Sequence, residues 1–194
     1  MAERSFSPSR LEAISDGVIA VAITIMVLEL HAPTTADPAA LMALWPAFLA
    51  YVVSFLFVAI YWVNHRYVFR FLRAVDDAVL WSNLALLFLL SLIPFGAAYM
   101  GQTDLAPFAV AADAALMLAG GCAFYLLRSA IGRHLRAPEE AALFNQGRVR
   151  WLNLAALTVY AAAIPAAYLS PLLSLGMNLG VTAIYVTPYA RPEL

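Results

Sequence analysis

Residues 10–31 read RLEAISDGVIAVAITIMVLELH. Between Asp16 and Glu29 lie twelve residues without a charge, 17–28. As a helix they reach roughly 18 Å. A bilayer core is about 30 Å thick and takes about 20 apolar residues. The segment therefore spans a membrane only if carboxylates enter it, and a carboxylate at that depth must face protein or water. What such a helix faces decides how the whole chain is read.

The rest of the chain is as apolar as this segment. Of its 194 residues, 64% are hydrophobic and 12% charged, and mean hydropathy is +0.82. Soluble domains run at about 45–50% apolar and about 25% charged. The chain is therefore read as an all-α polytopic membrane protein in one domain, 1–194, with the lipid bilayer as its solvent. Six apolar segments fall at about 13–31, 41–64, 78–100, 105–127, 149–169 and 171–189, each near the length of a span. The longest polar connection, 128–148, has room for a short interfacial helix. The early arginines would suit a signal peptide, but Glu12 and Asp16 do not, and no A-x-A site follows. Cys122 is the one cysteine, so no intrachain disulfide forms. His31, His65 and His134 are too far apart for a metal spacing, and neither a cofactor nor a nucleic-acid partner is expected.

Charge is segregated. All 11 basic residues are arginine. With the N-terminus in the cytoplasm and six spans, Arg4, Arg10, Arg66, Arg70, Arg73, Arg128, Arg133, Arg136, Arg148, Arg150 and Arg191 all fall on the cytoplasmic side. Glu29, Asp37, Asp104 and Asp113 fall on the other. The positive-inside rule thus predicts that both termini are cytoplasmic. The outer acids either concentrate cations at a pore mouth or only aid solubility.

On a helical wheel with Val21 at zero, Thr24 falls near about −60°, Ile25 near about +40° and Leu28 near about −20°. These four make one stripe. Glu12 and Asp16 lie on the opposite side and need donors. The second segment ends in YWVNHRYVFR, residues 61–70. There Trp62 and His65, three apart, share a face and carry N–H groups suited to a carboxylate. The expected network therefore ties Ser15 and Asp16 to Trp62, His65 and Asn64. Arg10, six residues before Asp16, lies on a different face and needs a partner elsewhere. The stripe either packs against another helix or, around a symmetry axis, forms a hydrophobic constriction of the kind that gates channels.

The stretch RLEAISDGVIAVAITIMVLEL resembles the RxxxFSD signature and following pore helix of the endolysosomal potassium channel family, in its bacterial branch. Arg10, Ser15 and Asp16 match, Ile14 stands where phenylalanine is usual, and YWVNHR is similar to the family's second-helix Trp and His motif. The resemblance implies a homotetramer in the bacterial inner (plasma) membrane, with the first helix of each subunit lining a central pore. It implies passive permeation of K+ without a TVGYG filter. It maps the constriction to Val21, Ile25 and Leu28 and the pore threonine to Thr24. Arg10, Ser15 and Asp16 would then hold the pore helix against Trp62 and His65, and Glu29 would sit at the outer mouth. Val21 is smaller than the usual isoleucine or leucine, so a wider constriction and weaker selectivity for potassium over sodium are expected.

Three rivals differ in class. An ion-coupled secondary transporter would show paired Gly/Pro breaks in corresponding halves, which are not evident. An enzyme would need converging catalytic groups, and Ser15, Asp16 and His65 have no nucleophile elbow. A scaffold would leave the acids at both ends of the first helix without a purpose. Asp113, fifteen residues before Arg128, reads as an outer interfacial acid near the bend at Pro107. His65 titrates near neutrality, but its expected role is a packing contact.

Overall fold

The computed structural model describes residues 7–135, 137–144 and 147–186. Arg4, Arg136, Arg191 and residues 187–189 of the sixth expected span lie outside them, as does the side chain of Arg148. Helices α1 (Pro8–Leu28), α3 (Trp45–Phe69), α6 (Pro107–Gly132) and α8 (Gly147–Leu169) are continuous. Helices α4 (Asp77–Ser91) and α5 (Ile93–Gln102) together make one apolar crossing. Helix α9 (Pro171–Val186) is shorter, and α2 (Pro38–Met42) and α7 (Pro138–Phe144) are connectors. Among the described residues, five helices are long and apolar enough to cross a membrane, the α4–α5 crossing counted as one, and α9 is a shorter apolar one.

The helix starts follow from local chemistry. Ser7 Oγ accepts the Arg10 N–H at 3.3 Å and Pro8 takes the first helical position, so α1 begins before both acids. At 21 residues it is about 31 Å long, enough to span. The opening mismatch is thus resolved by taking Glu12 and Asp16 into the helix. The helix also starts and ends earlier than the apolar pattern implied. Asp76 accepts the Val79 N–H at 2.8 Å to start α4. The break between α4 and α5 falls at Leu92, two residues before Pro94, which has no N–H to continue the ladder.

Helix α6 is the centre of the subunit, packed on α4 and α8, while α3 packs on α5 and α9 on α8. Helix α1 lies at the side, against α3, α4 and α5. The core runs through Phe57, Tyr61, Leu86, Met117, Phe124 and Leu127. Close approach is bought by small residues: a Cβ on Gly101 of α5 would sit 3.0 Å from both Cα and Cβ of Ala47 in α3. The polar connection holds α7 as a strap. Arg73 pairs with Glu140 at 2.7 Å, and His134 meets Asp76 at 3.0 Å.

Candidate pore helix and its anchor

Two faces of α1 have opposite surroundings. Leu11, Ser15, Ile19, Ala22 and Met26, spaced by three and four, are buried against the subunit. Val21, Ile25 and Leu28 are 54%, 41% and 72% exposed, and Thr24 between them is exposed as well. The stripe on the wheel is therefore the face that the subunit leaves bare. Thr24 Oγ1 donates back to the carbonyls of Ala20 (3.1 Å) and Val21 (3.0 Å). Its proton is committed to the backbone, so the oxygen lone pairs are what it offers outward.

The buried face is held by a directional chain of hydrogen bonds. His65 Nε2–H donates to Asn83 Oδ1 at 2.9 Å, Asn83 Nδ2–H donates to Ser15 Oγ at 2.9 Å, and Ser15 Oγ–H donates to the Leu11 carbonyl at 2.8 Å. Each bond contributes about 1 kcal/mol net, and leaving one end unpaired costs more than that. Ser15, His65 and Asn83 are fully buried. His65 also stacks on Phe69, with ring centroids 3.9 Å apart. Beside this chain, the Trp62 indole N–H donates to Asp16 Oδ1 at 2.9 Å, and the Arg66 guanidinium lies 5.3 Å from the Trp62 ring.

The network thus brings together Ser15, Asp16, Trp62 and His65, but in two branches. Asp16 takes Trp62, and His65 reaches Ser15 only through α4. Asn83 was not singled out from sequence, although a lone amide within VLWSNLALLFLL was the available signal. Asn64 is not part of the network. It sits about 100° round the helix from His65 and lines a different cavity, with Tyr125, Asn153 and Tyr185. Arg10 is exposed and makes no ion pair among the described residues. Glu29 caps the C-terminal end of α1 through its main chain, and its carboxylate has no ion-pair partner among the described residues. An acid there adds to the negative end of the helix dipole instead of offsetting it. Asp113, expected as an interfacial acid, is buried inside the bundle and does not face the surface. It is 2% exposed, neither oxygen has a hydrogen-bond partner among the described residues, and a Cβ on Gly96 would lie 2.7 Å from Oδ1. Pro107 opens α6 instead of bending it, which carries Asp113 two turns into the bundle.

Comparison with known proteins gives this geometry a context. Residues 10–94 match the model of a family described as the endosomal/lysosomal potassium channel TMEM175. A potassium channel of Chryseobacterium sp. is 35% identical over 95% of this chain and 95% of its own. One of Streptomyces collinus is 35% identical over 91% and 89%. The human endosomal/lysosomal proton channel TMEM175 is 36% identical over 42% of this chain and 19% of its own. Among solved structures, a lysosomal potassium-selective channel TMEM175 homolog from Chamaesiphon minutus superposes with a TM-score of 0.79 at 29% identity, covering 92% of this chain and 95% of that one. The chain belongs to the TMEM175 channel family.

Proposed function

We propose that this protein is a potassium-permeable channel of the bacterial inner membrane, a homotetramer with both termini cytoplasmic, in which α1 of each subunit lines the pore. The observation that carries this reading is the bare stripe of Val21, Ile25 and Leu28, with the Thr24 hydroxyl among them, on a helix whose other face is held by hydrogen bonds. Around a fourfold axis these residues form stacked apolar rings. An ion crossing them sheds part of its water, and potassium gives up its water more readily than sodium. The back-bonded Thr24 oxygens replace some of what is lost. Selection by this route is modest, because no fixed carbonyl cage rewards potassium. Four α1 C-terminal ends, each bearing Glu29, would make the outer mouth electronegative and raise the local cation concentration. Nothing in this pathway calls for a cofactor or a catalytic step.

The test is potassium flux into liposomes holding the purified protein, measured against sodium and against Leu28→Asn. Passive potassium flux that rises several-fold in the variant supports a hydrophobic gate on α1. A folded, tetrameric protein that passes no potassium in either form would leave the family relationship as one of fold only.

A further inference from the structure

At the arginine-rich edge of the bundle, on the side of α6 away from the α1 anchor, lies a cleft of about 330 Å³ between α6 and the start of α8. Arg128, Arg133 and Arg150 line it, together with Tyr125, Ser129 and Asn153. We propose that this cleft binds a phosphate group, presented by an anionic lipid headgroup or as free phosphate. Three observations carry the assignment.

First, among the described residues positive charge outweighs negative charge around the cleft. No Asp or Glu lines the cleft, and none of the three arginines forms an ion pair among the described residues. Two acids on neighbouring elements are already engaged: Glu140 with Arg73, and Asp76 with His134 and the Val79 N–H, so that Asp76 offsets only part of the Arg133 charge. Three like charges around one hollow repel each other, and an anion relieves that repulsion.

Second, one of the three is built in. Arg128 is 8% exposed, with its guanidinium carbon 4.2 Å from the centroid of the Phe144 ring and Nη2 donating to the Phe144 carbonyl. Burying a guanidinium is costly, and this one is held in place from α7 with no other hydrogen bond among the described residues. A preset planar fork suits the paired oxygens of a phosphate.

Third, the neutral lining offers an amide donor, although Ser129 Oγ–H is committed to the Tyr125 carbonyl at 2.7 Å and turns its oxygen to the cleft. Asn153 Oδ1 accepts the Tyr185 hydroxyl at 2.6 Å, which leaves the Asn153 NH2 for a ligand. Helix α8 begins at Gly147, so its positive dipole end adds to the same field. Basic pockets between helices at a membrane edge suit lipid phosphates.

The test uses the full chain, purified in phosphatidylcholine bicelles. Arg133 and Arg150 are exposed, so Arg133→Gln/Arg150→Gln should fold like wild type. A control pair, Arg66→Gln/Arg70→Gln, removes equal charge from the same edge outside the cleft. Affinity is measured by native mass spectrometry for phosphatidylglycerol, and by thermal midpoint for inorganic phosphate against chloride at equal ionic strength. We expect the cleft variant to bind the phosphate-bearing probe about tenfold or more weakly than wild type, with the control pair changed by less than half of that on a logarithmic scale. Loss for phosphatidylglycerol alone identifies a lipid site, and loss for inorganic phosphate identifies a site for the free ion. Equal loss in the two pairs, or no arginine-dependent binding of either probe, overturns the proposal.

Discussion

Helices α1 and α6 have nearly the same hydropathy, yet the subunit treats them differently. In the most apolar window of α6, 56% of residues are buried, against 28% in α1. Each carries an acid within the bundle, and again they differ. Asp16 of α1 receives the Trp62 indole N–H, whereas Asp113 of α6 lies against Gly96 with no hydrogen-bond partner among the described residues. Hydropathy therefore says that a helix is in the membrane and not what it faces. A helix covered by its own subunit is structural, and one pinned along one face and bare along the other has a surface left for something else.

Changes to the covered side should have the largest effect. Gly101→Val wedges α3 from α5 at the 3.0 Å approach to Ala47 and should cost about 2–3 kcal/mol, read from thermal unfolding in detergent. Asn83→Ala strands the His65 Nε2–H and takes away the donor to Ser15 Oγ, and should cost about 2 kcal/mol. Because the loss frees α1, the proposed tetramer should lose population on size exclusion with it; a variant as stable and as assembled as wild type would mean that α1 is held by packing alone.

The two acids should then separate. Asp16→Asn weakens a charge-assisted bond and should destabilise by about 1 kcal/mol. Asp113→Asn removes an unpartnered carboxylate from the core and should leave stability unchanged or raise it by up to about 1 kcal/mol. If both lose stability equally, the contrast between the two helices is wrong.

Asp76 supplies a smaller effect outside the spans. The Val79 N–H, and after it His134, hold its carboxyl below the usual carboxylate range despite some opposing burial. A lowered value in the folded state means that its contribution is complete above the ordinary carboxylate pKa and is lost as pH falls through the lower folded one. Asp76→Ala should cost about 1 kcal/mol at pH 7, with the difference from wild type vanishing in strong acid. On the bare face, Val21→Ile should disturb stability least and still lower potassium conductance. Unchanged currents would remove Val21 from the constriction.

Much of this was legible in the sequence. Apolar length set the all-helical membrane class, whereas Pro107, expected at a bend, opens α6. The period of α1 separated the Val21–Leu28 stripe from Ser15 and Asp16 because 100° per residue is a property of the chain alone. The pairing of Asp16 with Trp62 was within reach for the same reason: two donors three residues apart on one helix face an acid that needs them.

What sequence could not supply was any fact that depends on a third helix. Asn83 joins the network because α4 lies against both α1 and α3, and Asn64 is left out because the helix turns it toward Asn153. The burial of Asp113 against Gly96 was beyond reach because a count of residues from Arg128 gives depth along a helix and not what surrounds it. The arginine cleft needs α6, α7 and α8 together. Periodicity within a helix is local, so the amino-acid sequence by itself determined which residues share a face; which face meets which neighbour depends on packing among elements far apart in the chain, and only the tertiary structure decided it.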